Sequence, residues 1–523
     1  MNPPHPQQLW QAAQQCLARG DLAAARVQLL ALLRVVPVHT HAHLLLGGIA
    51  HAQGDLRSAT QHALDAARVP PDDAGMISNI VNALVLVGEM TRARECLALP
   101  AVARCRDGAV LVSLASALQM LGEHAHALAL LERAIGTGLD APDIRYLRGV
   151  QLMFNGRLDE AAAAFEDCLR QRSVHGRAAV ALARLCKQTR EDNHLAFIDA
   201  HIERVARGSE DHAAFEFARY KELEDIGELD GAWAALERGN AIMAARLPQD
   251  IRGDTALVDA LIARCDSGFV APPGAVHAGP QPIFVVGMPR SGTTVLERIL
   301  GNHSQITSAG ELGDFPRQLC WSANVVSRLL LDPIIVARAR QLDFAEIGRR
   351  YLAQTQWRAG GRSWFVDKLP FNHLNAAFIM RALPNARILH MTRDPMDVCF
   401  SNYRAFFGEG YAYSYRFDTL TAHYRNYRRL MDHWHRVMPE RILDVPYATL
   451  VSDPDTAARN VLDFCRLPFE PGVADLRRNT APSATLSAMQ VRDGIHQRAR
   501  GEWVRYEEQL APLQQRLRDA GIL

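Results

Sequence analysis

The sequence lacks several features that mark common protein classes. Its nine cysteines are odd in number, scattered and never spaced as a Cys-x-x-Cys pair, which argues against a disulfide framework and a zinc cluster. No stretch reaches about 18 uncharged apolar residues, the length that crosses a bilayer. The first residues hold no basic segment followed by an apolar core. We therefore expect a cytoplasmic protein with reduced thiols and no membrane span.

An excess of charge of either sign is also missing. The 58 basic and 57 acidic residues nearly cancel, so no global field would hold the chain on nucleic acid, which we do not expect as a partner. Any anion-binding site must therefore be local. A length of 523 residues is too great for a single core.

A repeat is present instead in the first third of the chain. Glycines recur every 34 residues at positions 20, 54, 88, 122 and 156, and alanines follow in the same register at 25, 59, 93, 127 and 161. The glycine suits a tight turn between two helices, and the small alanine lets those helices approach closely. This period resembles that of tetratricopeptide repeats.

The repeat becomes less regular further along the chain. After residue 172 the period blurs, although Gly227 and Ala232 restate its spacing, and residues 270–282 are rich in proline and glycine. We predict a helical solenoid over 5–250, a linker over 251–279 and a second domain over 280–523.

The second domain alternates β-rich runs with helical patterns. The runs cover 283–287, 363–367, 386–392 and 441–447, and this alternation predicts a parallel α/β sheet. The predicted fold class is thus a multidomain chain, with an all-α solenoid followed by an α/β domain of the P-loop type. In such sheets the ligand lies beyond the carboxyl ends of the strands.

Residues 282–300 have the layout of a phosphate-binding strand, loop and helix. After Gly292 comes Thr293, where a nucleotide triphosphatase has the lysine that reaches the β- and γ-phosphates. The loop instead places a cation early, as Arg290, whose planar fork suits an oxyanion. Lys368 and Arg393 follow two further predicted strands. Cations converging from separate strands indicate a ligand with several negative charges.

These motifs resemble those of sulfotransferases that use 3′-phosphoadenosine-5′-phosphosulfate, and in particular the tyrosylprotein sulfotransferases. An Arg-Ser-Gly-Thr-Thr loop before a Leu-Glu-Arg-Ile-Leu helix carries the likeness, which spans about 280–515. Tetratricopeptide repeats ahead of such a domain are similar to a bacterial arrangement. The resemblance implies an enzyme that transfers a sulfuryl group to a hydroxyl and leaves adenosine 3′,5′-bisphosphate.

The resemblance also implies the positions that hold the donor. The 5′-phosphosulfate would lie on the loop and the 3′-phosphate at the arginine after the third predicted strand, with Arg404 as a further candidate. Matched by position, the donor-binding residues are Arg290, Ser291, Gly292, Thr293, Thr294, Arg393, Ser401, Tyr447 on the adenine side and Arg492.

The same likeness implies four catalytic residues. Glu311 would take the proton of the acceptor hydroxyl, while Arg290 and Lys368 would stabilise the leaving phosphate and Ser487 would lie near the phosphosulfate. No metal is required by this scheme. In the tyrosylprotein pattern a lysine precedes a tryptophan. This chain has Glu502 before Trp503 instead, so the cofactor contacts of this segment stay open.

Several alternatives remain at this point. The second domain could be a non-catalytic nucleotide-binding scaffold, or less plausibly an ATP-dependent phosphotransferase. His303 and His373 are rival bases, and aromatic residues between Tyr403 and Tyr427 could line an acceptor site. The repeats could present a protein or peptide tyrosine, but the acceptor and the oligomeric state do not follow from these residues.

Overall fold

A computed structural model describes residues 5–172, 174–271, 276–479, 482 and 500–523. The chain forms two compact units. One comprises Met1–Leu139 with Gly313–Trp357, and the other comprises Asp140–Leu312 with Arg358–Leu523. Within the described part, no helix is long and apolar enough to span a bilayer.

The chain before the sheet is helical. Its helices are α1 Pro6–Ala18, α2 Leu22–Val35, α3 Thr40–Ala52, α4 Leu56–Ala66, α5 Ala74–Val87, α6 Met90–Leu97, α7 Pro100–Arg104, α8 Gly108–Met120, α9 His124–Gly136, α10 Pro142–Phe154, α11 Leu158–Gln171, α12 Gly176–Leu185, α13 Leu195–Ile202, α14 Glu210–Ile226, α15 Leu229–Arg246, α16 Ile251–Arg264 and α17 Ser267–Val270.

The periodic glycines end one helix and turn the chain into the next, as predicted. All five have a positive φ, from 75° at Gly20 to 84° at Gly88, a region that residues with a Cβ avoid. The alanines of the register, such as Ala59 and Ala93, are buried to 1% or less exposure. The helical repeat region is thereby confirmed.

Five parallel strands form one sheet in the order β2-β3-β1-β4-β5. The four predicted strands are confirmed. The short β2 was not predicted, because three residues are too few to show an alternation of apolar and polar side chains. The strands are β1 Gln281–Gly287, β2 Ile306–Ser308, β3 Trp364–Asp367, β4 Arg387–Thr392 and β5 Ile442–Pro446.

The remaining helices lie between or after these strands in the chain. They are α18 Thr293–Gly301, α19 Asp314–Ala323, α20 Pro333–Ala337, α21 Phe344–Thr355, α22 Ala376–Ala382, α23 Pro395–Tyr403, α24 Phe417–Val437, α25 Tyr447–Ser452, α26 Pro454–Phe464 and α27 Glu507–Asp519. On one face of the sheet, Ile283 and Val285 pack against Leu296 and Ile299 of α18, which fixes that helix behind β1. Burying each such side chain contributes about 1.5–3 kcal/mol.

Both units combine repeat helices with parts of the predicted second domain. In the first unit, Gln354 of α21 donates to Glu89 (2.8 Å), and Arg350 lies 3.9 Å from the ring centre of Trp321. In the second unit, Trp233 of α15 packs against Tyr403 and Tyr506, with ring centres 5.9 and 5.4 Å away. The two compact units therefore do not follow the predicted boundaries, which stay a prediction.

The segment 251–279, predicted as a linker, contains α16 and α17. Asn426 of α24 donates to Thr255 at 3.0 Å, and His433 contacts the carbonyl of Cys265 at 2.9 Å. The proline and glycine that motivated the linker lie mostly beyond residue 270. Residues 251–270 are thus mostly helical, while the linker bounds stay a prediction.

Candidate active site

The loop between β1 and α18 is closely packed against its neighbours. Gly292 has φ 108°, and a Cβ placed there would lie 2.5 Å from Cδ2 of Tyr447. A Cβ on Gly287 would lie 2.8 Å from the carbonyl oxygen of Met391. Arg290 also has a positive φ, 68°. The backbone is thus held in a conformation that glycine permits and that brings the Tyr447 ring onto the loop.

The loop contains a buried hydroxyl that has no hydrogen-bond partner among the described residues. Ser291 is 1% exposed, and its Oγ makes no hydrogen bond within the described residues. Such a group costs about 1–3 kcal/mol when it is left unsatisfied. Thr293 and Thr294, each 4% exposed, begin α18 beside it. An anion at this helix N-terminus would satisfy the hydroxyl and be favoured by the helix dipole.

Arg393, at the end of β4, is joined to the loop. Its Nη1 donates to the carbonyl of Arg290 at 3.0 Å, and its guanidinium carbon lies 4.6 Å from the ring centre of Tyr447. Nε of Arg290 in turn donates to Oγ of Ser401 at 3.4 Å. The structure therefore brings together the residues that the sequence analysis assigned to the donor phosphates. Their roles stay a prediction.

This cluster holds several arginines, and Asp397 lies 3.7 Å from Nε of Arg393. Burial, followed by the charges of Arg404, Arg184 and Arg393, lowers the pKa of Arg290 to about 9. Like charges held together raise the free energy of the protein unless an anion lies among them. The site is therefore suited to a ligand of high negative charge.

Arg404 is held by two carboxylates. It forms an ion pair with Glu502, and its Nη1 lies 3.6 Å from Oε1 of Glu224 on α14. Glu502, the position that departs from the tyrosylprotein pattern, thus neutralises an arginine of the cluster. Glu224 could not be predicted as a neighbour, because it lies in the helical region 180 residues away.

Glu311 and Lys368, which follow the carboxyl ends of β2 and β3, form an ion pair. Nζ of Lys368 donates to Oε1 of Glu311 at 2.5 Å and lies 3.8 Å from Oε2 of Glu297. Burial opposes the charge of Lys368, but Glu311 and Glu297 outweigh it and raise its pKa. The Lys368 side chain is 1% exposed and that of Glu311 is 37% exposed. Glu311 therefore has a face open to an acceptor while the buried ammonium orients it.

Glu297 was missed in the sequence analysis, although it is the glutamate of the Leu-Glu-Arg-Ile-Leu helix. It accepts a hydrogen bond from Ser308 at 2.5 Å. A glutamate one turn into a helix gave no signal that it would face a buried lysine, since its register against β3 depends on tertiary packing.

The two histidines considered as rival bases are both buried and bonded to the backbone. In His303, Nε2 lies 2.9 Å from the carbonyl of Pro468 and Nδ1 accepts from the amide of Gln305 at 3.1 Å. Burial lowers the pKa of His373 to about 4, and its Nδ1 lies 3.0 Å from the carbonyl of Pro370. Both arrangements favour structural roles.

Aromatic side chains lie near Glu311. The ring of Tyr411 is 4.9 Å from that of Phe371 and 4.7 Å from that of Phe407. Burial, with the charge of Glu311 as a second cause, raises the pKa of Tyr411. Tyr415, by contrast, uses its hydroxyl to bind the backbone of residues 407 and 408. Ser487 and Arg492 fall outside the described residues.

Residues 282–471 match the model of the sulfotransferase family. The likeness to that enzyme family is thus shown for this part of the chain. The match begins at β1, includes the loop, Glu311, Lys368 and Arg393, and ends beyond α26.

The chain is also similar to parts of known proteins. The chain is 30% identical to an uncharacterized protein of Aquifex aeolicus (strain VF5), over 62% of this chain and 43% of that protein. It is 31% identical to human protein-tyrosine sulfotransferase 1, over 23% of this chain and 33% of that one. A solved sulfotransferase domain of the Synechococcus PCC 7002 olefin synthase is 24% identical over 44% of this chain and 89% of that domain, with a TM-score of 0.32.

Proposed function

We propose that the protein transfers a sulfuryl group from 3′-phosphoadenosine-5′-phosphosulfate to a hydroxyl acceptor. The observation that carries this proposal is the meeting of the β1 loop with Arg393 and Ser401 at the carboxyl ends of β1 and β4. Two such elements close together suit one nucleotide that carries phosphate groups at both its 3′ and its 5′ position.

The residues present fit such a donor. The hydroxyl of Ser291 lacks a partner in the described structure and lies at the start of α18, where an anionic group would be favoured. Arg393 and Tyr447 stack beside the loop. Arg393 offers a cation to the 3′-phosphate, and Tyr447 offers a ring on the adenine side. When bound, the donor supplies an activated sulfuryl group.

Glu311 is the proposed base. Its exposed face takes the proton of the acceptor hydroxyl as the oxygen–sulfur bond forms, and the sulfur–oxygen bond to the donor phosphate breaks. Lys368 and Arg290 offset the charge that develops on the leaving phosphate oxygen. Lys368 also orients Glu311, since its Nζ lies 2.5 Å from Oε1 of that carboxylate.

The acceptor belongs to the same proposal. Relatives named protein-tyrosine sulfotransferase support a protein or peptide acceptor, and stacked helical repeats offer an extended surface for one. The ring of Tyr411 packs against Phe371 and Phe407, and the charge of Glu311 affects its pKa. Such aromatic groups suit an acceptor with an apolar or aromatic group next to its hydroxyl.

Calorimetric titration of the full chain with adenosine 3′,5′-bisphosphate tests the donor site. Adenosine 5′-monophosphate and ATP with magnesium serve as matched ligands that lack the 3′-phosphate. We expect the bisphosphate to bind at least about tenfold more tightly than the monophosphate, because hydrogen bonds to charged groups contribute about 1.5–3 kcal/mol. A preference for ATP with magnesium, or no binding by folded protein, would contradict the proposal.

A further inference from the structure

Two histidines and an aspartate meet between α3 and α4, the helix pair of the first unit that is joined at Gly54. His43 lies in α3, and His62 and Asp65 lie in α4. The donor atoms of their side chains all lie within 4.8 Å of one another. His43 is 6% exposed, and the other two residues are partly buried. Three side chains of the types that bind metal ions are therefore gathered in one pair of helices.

A backbone carbonyl fixes the ring of His43. Its Nε2 lies 2.9 Å from the carbonyl oxygen of Pro37. Since a carbonyl oxygen only accepts, Nε2 carries the hydrogen, and Nδ1 of the neutral ring keeps its lone pair. Histidines that bind metals almost always donate their other ring N–H to a carboxylate, a backbone carbonyl or water. His43 is thus held in the tautomer that metal binding at Nδ1 requires.

The ring nitrogens that face each other have the spacing of two ligands of one metal ion. Nδ1 of His43 lies 3.2 Å from Nδ1 of His62. Two nitrogens bound to a tetrahedral zinc ion, each at about 2.0–2.1 Å, are about 3.3 Å apart. In the metal-free protein, Nδ1 of His62 donates a hydrogen bond to Nδ1 of His43. A zinc ion replaces that bond when the hydrogen of His62 moves to Nε2, so the ring stays neutral.

Asp65 adds a carboxylate on the same face of α4 as His62, since the two residues are three positions apart. Its Oδ1 accepts from Arg68 at 2.9 Å and its Oδ2 accepts from Gln61 at 3.2 Å. A carboxylate has about four lone-pair sites, so both bonds persist while one oxygen binds a metal. Two imidazoles and a carboxylate are ligands that zinc takes in sites with an open fourth position.

A second group of such side chains, in the other unit, is arranged differently. There Asp444 contacts both His390 and His435, at 2.7 and 3.0 Å. The carboxylate therefore already pairs with each imidazole of that group. Between His43 and His62, by contrast, nitrogen faces nitrogen directly.

We propose that His43, His62 and Asp65 bind a zinc ion, with a water molecule in the fourth position. The ion links α3 to α4 and stabilises this part of the first unit by the free energy of its binding. The site lies outside residues 282–471, which match the sulfotransferase model. The inference therefore does not rest on the proposed function.

Calorimetric titration of the untagged full chain with zinc chloride tests the inference. Magnesium chloride is the comparison, because magnesium prefers oxygen ligands and should not bind here. We expect His62→Asn to weaken the binding of one zinc equivalent by at least about 100-fold, since even the loss of an outer partner of a ligand costs about 10–100-fold. His51→Asn, in α3 but outside the group, is the matched control and should bind zinc as the unaltered chain does.

The comparison between these variants is the readout, because any zinc bound by the group around Asp444 is the same in all of them. A chain that binds no zinc, or a His62→Asn variant that binds zinc with unaltered affinity and stoichiometry, overturns the inference.

Thermal unfolding separates metal binding from structure. The asparagine amide can still donate to Nδ1 of His43, so His62→Asn should melt close to His51→Asn when a chelator is present. Added zinc should raise the melting temperature more for the unaltered chain and for His51→Asn than for His62→Asn. Asp65→Ala, which keeps the bond between the histidines, gives the same test if His62→Asn does not fold. An equal rise in all variants would contradict the proposed ligands.

Discussion

At the scale of single residues, the pairing of Glu311 with Lys368 combines two different environments. The ammonium group is almost fully buried, whereas more than a third of the carboxylate side chain faces solvent. The buried partner raises the cost of moving Glu311 away, and the open face leaves room for an acceptor. The geometry of the pair therefore favours a base that is fixed in position yet accessible.

Glu311→Gln tests that assignment. We expect kcat for sulfuryl transfer to fall by about 10²–10⁴, since the proton acceptor is removed, while calorimetric affinity for adenosine 3′,5′-bisphosphate is retained. Glu508→Gln, an exposed glutamate of α27, is the control and should keep normal turnover. Near-normal turnover of the Glu311 variant would exclude this residue as the base.

Asp444 of β5 gives a prediction about pH. It lies 2.7 Å from Nδ1 of His390 and 3.0 Å from Nε2 of His435. Burial alone would raise the pKa of Asp444, but the two histidines outweigh it and lower that pKa. Asp444 in turn raises the pKa of His435.

The two shifts stabilise the fold in an overlapping window. The lowered carboxyl pKa stabilises above about pH 4 and is lost as pH falls, whereas the raised histidine pKa stabilises below about pH 6.5 and is lost as pH rises. Asp444→Asn should therefore lower the melting temperature more at about pH 5.5 than at about pH 9. Exposed Asp463→Asn is the control. An equal decrease at both pH values would rule out the ionic contribution.

At the scale of elements, the turn from β1 into α18 depends on the absence of a side chain at Gly292. Gly292→Ala should destabilise the fold by about 1–3 kcal/mol from backbone strain, and further through contact with Tyr447, 2.5 Å from the added Cβ. Gly361→Ala is a matched control, because φ is 85° there and nothing lies within 4 Å of a Cβ. Denaturant unfolding would measure both.

The difference between the two variants isolates the contact with Tyr447. If Gly292→Ala destabilised the fold no more than Gly361→Ala, the loop would have room to shift, and its close packing against Tyr447 would not be required. Donor affinity measured on the same variants would then show whether that packing matters for binding.

Elements also differ in how well their positions could be predicted. The four longer strands and the repeat helices follow from local periodicity, which the residues of each element carry themselves. Strand β2 and helices α16 and α17 did not follow from local periodicity. Strand β2 and α17 are short, and α16 and α17 precede a region rich in proline and glycine. The α16 segment is stabilised by Asn426 and His433, which lie far away in the sequence.

At the scale of the whole molecule, the second unit unites repeat helices with the sheet. A shortened chain of residues 278–523 would lose Trp233 and Phe217 and expose the aromatic side chains they cover. We expect it to lack a cooperative thermal transition by circular dichroism. Residues 140–523, which keep all of the second unit, should unfold cooperatively and bind adenosine 3′,5′-bisphosphate. Full-affinity binding by 278–523 would show that the repeat helices are dispensable for the site.

The 34-residue repeat, the four longer strands, the loop after β1 and the residues that follow the strands could be predicted, because each is encoded in a local pattern of residue types. Which charged groups meet could not be predicted. Glu297 faces Lys368, and Glu224 faces Arg404. Such pairs depend on the packing of elements far apart in the chain, and no local periodicity records that packing.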